Sequence, residues 1–435
     1  MHYQVKNQAL LLIILLWGLF SCQKDKDKNL PETQSKLTAE EQKVRLDKEG
    51  INFINHLEDL EKPDLMDPLV YFIEIADYIK EDQFELSLKV ARDFILSSKQ
   101  HSGNSLKSAV TDDTDSFIKV MNDNQGIYTY NRKNETWKKT SATGKIEFVF
   151  PANKSTTTNN TSFVFNNLST IAVTNYDLYD DLKDLAKTLD VNLKVDNVLK
   201  YGYSILNEYN SDDIPTKESS TLVIAPYTFT EEYILSNDKN VTFNSTMSSN
   251  NTVFMTIGAT SDGDFTSNLL TDDNLEEEDL VKKVNAYVQI ENVIVVGDLD
   301  FKTLAIKLKE LDNEYESQYD NTKDQYPKSY YDDCVSAYKL NGILKMKFVD
   351  KNEVFATLLP YLTSEKDWYY DYSQGHYNSI EYTRNDVGFK IEFTDGSKVD
   401  DSYFDSGFDA VVDKLNSIIK RINNDYDESI DKIEY

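Results

Sequence analysis

The sequence has few of the residues that build metal, cofactor or disulfide sites. Its 435 residues include 2 Cys, 14 Gly and 8 Pro. Four histidines lie far apart, without His-x-x-x-His or Cys-x-x-Cys spacing, so we expect no zinc or iron site. Neither Gly-x-x-x-x-Gly-Lys nor Gly-x-Gly-x-x-Gly occurs, and Gly-x-Ser-x-Gly is also missing. We therefore predict no metal, no cofactor and no recognisable catalytic residue.

Basic charge is also scarce. The chain carries 46 Lys and Arg against 75 Asp and Glu, a formal net charge of −29. Phosphates would be repelled by such a surface, so nucleic acid is not an expected partner. Beyond the N-terminus, no run approaches the ~20 apolar residues that span a bilayer. Hydrophobic residues still make up 40%, which is enough for two or three domains of ~100–200 residues, or one large one.

The first 21 residues are predicted to be a leader. Residues 9–16 are purely apolar, and 17–20 extend the run, which is too short to span a membrane and is typical of a signal-peptide core. Leu19, Ser21 and Cys22 then match a bacterial lipoprotein signal, which this segment resembles. The resemblance implies that 1–21 is a signal peptide and that Cys22 carries fatty acyl chains such as palmitate. The alternative is an ordinary cleaved signal peptide with an incidental cysteine.

A polar tether, 22–37, follows the leader. Its beginning resembles the surface-export signal of Bacteroidota lipoproteins, through Gln23, Lys24, Asp25 and Asp27. This resemblance implies an outer-membrane protein whose body faces outward. The lipid anchor would be stable, because two acyl chains hold a protein on a membrane. The alternatives are a simple charged linker and a body on the periplasmic face.

Residues 38–99 show helical spacing. Thr38 and Glu41 form a capping-box sequence, and Asp67 with Pro68 starts a second helix. Asp82 opens a third apolar stripe. Short turns between them predict a small antiparallel bundle or helical hairpins. Residues 100–115 lack periodicity and are typical of a linker.

Region 116–265 is predicted to be rich in strands. Segments 126–130 and 135–139 read as a hairpin, with Trp137 expected in the core. Further strands are predicted at 145–150, 162–165, 171–174, 193–206, 220–225, 241–243 and 253–257, and a helix at 176–189. About 50 residues of this region resemble uncharacterised Bacteroidota lipoproteins, a likeness that implies no activity.

Region 270–435 mixes both elements. Helices are predicted at the acidic segment 272–279 and at 301–315, 352–363 and 407–423; strands are predicted at 286–296 (ended by a turn at 297–298), 342–349, 376–383 and 388–393. The whole chain is therefore expected to be α+β, with N-terminal helices followed by mainly antiparallel sheets and interspersed helices.

Tyrosine is the main compositional excess. Twelve of the 28 tyrosines lie between Tyr315 and Tyr382. The densest stretch gives the candidate ligand-binding residues Trp368, Tyr369, Tyr370, Tyr372 and Tyr377. Exposed rings suit sugar faces and protein partners, since they supply large contact area at low entropy cost. The alternative is that these tyrosines fill half-buried sheet positions.

Three functions fit this sequence. The first is a surface lipoprotein that binds or displays a glycan or a host or partner protein. The second is a glycoside hydrolase or accessory enzyme, which needs only two carboxylates ~5–10 Å apart. The third is a structural lipoprotein of the envelope that faces the periplasm. Oligomeric state stays open.

Cys334 follows Asp332 and Asp333, so we expect an inert, buried thiol. Acidic residues also cluster at Asp262 and Asp264, at 112–115 and at Asp332 and Asp333. We interpret these clusters as solvated surface rather than calcium ligands.

Overall fold

The computed structural model describes residues 33–57, 67–76, 123–175, 184–270, 277–323, 325–373 and 376–399. The helices in this part are α1 Ala39–Leu57, α2 Asp67–Ala76, α3 Ser267–Leu270, α4 Glu277–Leu280, α5 Phe301–Tyr315 with a 3-10 turn at Glu316–Gln318, and α6 Lys328–Asn341. None of these helices combines the length and the apolar character that a bilayer-spanning segment needs.

The described strands join one sheet of 17. They are β1 Thr33–Gln34, β2 Gly126–Asn131, β3 Thr136–Thr140, β4 Lys145–Phe150, β5 Thr161–Ala172, β6 Asp184–Val195, β7 Val198–Tyr209, β8 Pro215–Ile224, β9 Tyr227–Ser236, β10 Asn240–Ser249, β11 Thr252–Gly263, β12 Val281–Ile290, β13 Val293–Leu299, β14 Gly342–Phe348, β15 Glu353–Ser373, β16 His376–Phe393 and β17 Lys398–Val399.

The sheet is a long meander. From β4 to β16, each strand pairs antiparallel with the next strand in the chain. Parallel pairing occurs only between β2 and β4 and between β1 and β15 among the described strands. The prediction of a mainly antiparallel sheet with interspersed helices is confirmed. Because β11 pairs directly with β12, the sheet runs without a break from one predicted region into the next.

Tight turns explain how runs that look continuous in sequence become separate strands. The predicted strand 193–206 is divided at Asp196 and Asn197, which both have positive φ and form a two-residue hairpin loop. Likewise, 286–296 is divided at Glu291 and Asn292, and Gly297 lies inside β13 instead of ending it. Both sequence predictions were wrong at these positions because a two-residue loop is too short to interrupt an apolar pattern.

The predicted N-terminal helical bundle is not shown. Helices α1 and α2 exist, but each buries its apolar side against the sheet. Phe72 of α2 is fully buried, with its ring against Phe148, Phe150 and Phe163 at 5.1–5.2 Å. Aromatic strands offer these helices more apolar area than a short partner helix would. The third predicted helix, opening at Asp82, and the linker 100–115 lie outside the described residues.

Helix α1 covers the other end of the meander. Leu46 packs with Met346, Phe348 and Phe393 in a second core. Arg45 lies over the ring of Phe348 at 3.9 Å and binds Asp350 at 2.6 Å. Between the two cores, β8 to β10 carry mostly partly exposed side chains on both faces. The end of α1 reaches these strands, where Phe53 packs in one cluster with Tyr227 of β9 and Met247 of β10.

Two helix predictions were wrong. Segment 176–189 is strand from Asp184 onward, with Leu189, Val191 and Leu193 alternating into the core. Segment 352–363 belongs to β15, where a bulge opposite Met346 and Lys347 buries Val354, Phe355 and Ala356 in succession. Three buried residues in a row break the period of two that marks a strand, which is why this segment resembled a helix.

The prediction of helix α5 is confirmed, and so are the hairpin β2–β3 and strand β14. Helix α4 begins within the acidic segment, whose earlier residues 271–276 lie outside the described part. Helix α6 was not predicted. The predicted helix 407–423 falls outside the described residues.

Candidate functional site

The predicted aromatic site lies on the hairpin of β15 and β16. Strand β14 pairs with β15 only as far as Leu358. Beyond that point β15 continues to Ser373, in unbroken register with β16 from Ala356–Phe393 to Ser373–His376. Residues 359–373 therefore have β16 as their only strand partner within the described part. At ~3.3 Å per residue this segment, which we call the ribbon together with 376–390, extends roughly 50 Å.

The loop after α5 holds one edge of the ribbon. The side chain of Gln325 donates from Nε2 to the carbonyl of Thr383 at 3.1 Å and accepts the N–H of Asn385 at 3.2 Å. Tyr382 adds a hydrogen bond from its hydroxyl to the carbonyl of Lys323 at 3.1 Å. These contacts join residues about 60 positions apart, so no local pattern could have predicted them. They brace the ribbon up to Thr383 and leave the hairpin end to project.

Trp368 lies just beyond this brace. Its side chain is 54% exposed, and it is the one aromatic ring among the exposed hydrophobic residues of the described part. It pairs in register with Glu381. The backbone N–H of Trp368 and the hydroxyl of Tyr382 both donate to Asp367, and they lower the pKa of that carboxyl. A charged, hydrogen-bonded carboxylate thus sits beside an exposed indole.

Of the other candidate residues, the structure describes the side chain of Tyr369 and only the backbones of the rest. Tyr369 is partly buried and packs its ring 6.0 Å from that of Tyr382. The backbones of Tyr370, Tyr372 and Tyr377 lie in the ribbon, where Tyr372 pairs with Tyr377. Their side chains lie outside the described part. Trp368 and Tyr369 are consecutive in β15, so their side chains lie on opposite faces of the ribbon and do not form one continuous surface.

Most of the remaining tyrosines have packing roles. Tyr330 donates to Asp312 and Tyr315 donates to Asp333, both at 2.7 Å. The rings of Tyr326 and Tyr330 stack at 4.1 Å between α5 and α6. Burial raises the pKa of Tyr338, whose ring meets Phe389, to about 12. These residues pack on the two helices and in the loop before α6, so they occupy neither an exposed binding surface nor the half-buried sheet positions of the alternative interpretation.

Cys334 and Trp137 are both core residues. Cys334 is buried beside Leu311 and Tyr315, and burial raises the pKa of its thiol to about 11. A thiol in that state is a poor nucleophile at neutral pH. Trp137 lies edge-on to Phe72 at 6.3 Å. Both sequence expectations agree with this placement.

The described carboxyl groups offer little acid–base chemistry. Glu291 is the one among them with a raised pKa, and burial is the main cause. Its Oε1 lies 3.3 Å from Nε2 of His56, whose ring stacks on Phe254 at 4.8 Å. This pair lies where the end of α1 meets the sheet, so it ties the helix to the sheet.

An open cavity of about 300 Å³ lies where α6 meets β14. Its lining includes Lys283, Asn285 and Asp298, together with the exposed side chains of Leu340 and Ile343. Asp300, also in the lining, accepts the N–H of Thr303 and caps α5. None of the predicted aromatic residues lines this cavity.

In the described residues, no group of three or more His, Cys, Asp or Glu side chains is placed to hold a metal ion. The predicted lipidation residue Cys22 and the export residues Gln23, Lys24, Asp25 and Asp27 lie outside the described part, so their roles stay predictions. Comparison with protein families, with curated proteins and with solved structures finds no match to this chain.

Proposed function

We propose that this chain is a lipid-anchored outer-membrane protein, exposed on the cell surface, that binds a partner through the β15–β16 ribbon. The observation that carries the proposal is Trp368, 54% exposed on a hairpin that extends past the last residue paired to β14. Exposed tryptophan is costly to solvate and contributes strongly when a partner covers it. A projecting hairpin also reaches a partner without moving the rest of the sheet.

The anchor rests on the leader and the tether. Acylation of Cys22 would add ~0.8 kcal/mol of membrane affinity for each buried methylene, and two chains hold a protein stably. The acidic chain, at a net charge of −29 over its full length, stays soluble beside an anionic surface. Surface exposure, rather than the periplasmic face, is what gives the ribbon access to a glycan or a host protein.

Two experiments test location. Metabolic labelling with an alkyne-tagged palmitate should mark the wild-type chain and not Cys22→Ala. Protease added to intact cells should cut the protein, whereas a protein that is cut only after lysis would support the periplasm-facing alternative.

Binding is tested on the full chain with glycan arrays and with pull-downs from candidate host fluids. Trp368→Ala should weaken any ligand found at least tenfold. Val253→Ala serves as a matched control, because Val253 is similarly exposed at 53% on a distant strand. Equal binding by both variants contradicts a role for the ribbon. Cleavage of an array glycan would instead support the hydrolase alternative.

A further inference from the structure

Among the described strands, one backbone edge of the ribbon has no partner, and the hydrogen bonds show which residues form it. The N–H of Trp368 donates to the carboxylate of Asp367 at 2.8 Å, which directs it away from β16. Backbone groups on one edge of a strand recur every two residues. The N–H and C=O groups of Leu362, Ser364 and Lys366 therefore lie on the same outer edge as the N–H of Trp368. Pro360, which has no N–H to donate, falls on this edge as well.

The register of neighbouring strands supports this assignment. Ala356 and Leu358, on the same edge, pair with Met346 and Leu344 of β14. Strand β14 begins at Gly342, so its line of hydrogen bonds stops there while β15 continues. Within the described residues, no strand pairs with the outer edge of β15 beyond Leu358.

The opposite edge of the ribbon is closed. Gln325 bonds to Thr383 and Asn385, and the N–H of Val387 donates to the carboxylate of Asp386 at 2.7 Å. Native proteins usually cover or block long strand edges, since unpaired N–H and C=O groups recruit other chains. Here one edge is blocked by side chains at Thr383, Asn385 and Val387. On the other edge, no described strand pairs with the backbone from Leu362 to Lys366.

We infer that this open edge accepts an extended strand from another protein, which would continue the line of β14 beside β15. The inference rests on the proposed function and specifies how the ribbon binds. In this mode the main-chain ladder supplies affinity, and side chains on alternate positions supply specificity. Trp368, at the far end of the open segment, would then pack on side chains of the added strand.

Charge identifies the kind of strand. Residues 359–373 and 376–390 carry five acids and three bases: Glu365, Asp367, Asp371, Glu381 and Asp386 against Lys366, Arg384 and Lys390. These charges are part of the net charge of −29 that the whole chain carries. Two copies of this protein would therefore repel each other, whereas a segment carrying Lys or Arg would be attracted. The partner is a cationic, extended segment of a different protein.

The test uses the full chain and a fluorescent nine-residue peptide of alternating valine and threonine with three lysines. A control peptide has proline in place of each valine, so it keeps the charge and loses ladder donors. In the protein, Ser364→Pro removes one outward N–H, and Ser364→Ala is the matched control that keeps it. We expect the valine peptide to bind wild type and Ser364→Ala, and to bind Ser364→Pro at least tenfold more weakly.

Hydrogen exchange on the wild-type chain gives a second readout that does not depend on the proline variant folding. The valine peptide should slow exchange at Leu362, Ser364 and Lys366, and the proline peptide should not. Failure of the valine peptide to bind, or equal binding by the proline peptide, overturns the inference, and so does dimerisation through this edge. If Trp368→Ala abolishes binding of a ligand that Ser364→Pro retains, the proposed function stands and the added strand does not.

Discussion

The side chain of Gln325 bonds to the backbone of Asn385 as a neighbouring strand would. Its Oε1 accepts the N–H of Asn385 at 3.2 Å, while its Nε2 donates to Thr383 at 3.1 Å. A single carboxamide thus closes part of the outer edge of β16 and ties the ribbon to the helical layer. The base of the ribbon is fixed by this contact.

Replacing Gln325 with alanine should loosen the ribbon without unfolding the protein. The loss of two hydrogen bonds to a partly exposed backbone is expected to cost about 1–2 kcal/mol. Amide exchange at Asn385 should become faster, while exchange in β5 and β6 stays unchanged. Gln325→Glu is the matched control, because a carboxylate still accepts the N–H of Asn385. Unchanged exchange in the alanine variant would show that the brace lies elsewhere.

Truncating Phe72 should destabilise the end of the sheet that α2 covers. Its fully buried ring contacts three phenylalanines and Trp137, so Phe72→Ala should lower the free energy of unfolding by about 3–5 kcal/mol. Phe72→Leu should cost less, because it leaves a smaller cavity. Urea unfolding followed by circular dichroism measures both. Equal, small effects would mean that α2 does not pack on this core.

The thiol of Cys334 should resist modification in the folded protein. With a pKa of about 11 and a buried side chain, only about one molecule in a thousand carries a thiolate at pH 8. In a Cys22→Ala background, an aromatic disulfide reagent should react only after denaturant is added. Ser336→Cys, at an exposed position on the same helix, should react at once and serves as the positive control. Fast labelling of Cys334 in the native chain would contradict its burial.

Glu291 should make stability depend on pH. Burial raises its pKa above the ordinary value of 4.5, so over a range above that value the folded chain holds a proton that the unfolded chain has lost. Stability from this group is therefore greatest at low pH and falls as pH rises through the raised pKa. Glu291→Gln removes the charge. The thermal midpoint of this variant, relative to that of wild type, should therefore increase as pH rises from 4 to 7.

Glu316→Gln removes a carboxylate from an exposed position and is the control for the change in net charge. The difference between this variant and wild type should stay nearly constant over the same pH range. If the thermal midpoints of Glu291→Gln and of the control change with pH in parallel, the raised pKa has no effect on folding.

Local patterns determined several parts of this molecule. The capping sequence of Thr38 and Glu41 is present as reciprocal hydrogen bonds between those two residues, because a cap depends only on residues three positions apart. The amphipathic spacing of α5 and the hairpin β2–β3 are also local properties. The leader and the tether, with Cys22, are also read from local sequence, and they remain predictions.

The tertiary structure decided what depends on distant contacts. The bulge opposite Met346 buries Val354 to Ala356 in succession, and this gave a strand the apolar pattern of a helix. Packing between α5, α6 and the ribbon separated the buried tyrosines from the exposed Trp368, although sequence composition treats them alike. Among the described strands, β15 lacks an outer partner beyond Leu358 because β14 begins at Gly342. Strand neighbours and burial arise from contacts between residues far apart in the chain, and periodicity within one segment carries no record of them.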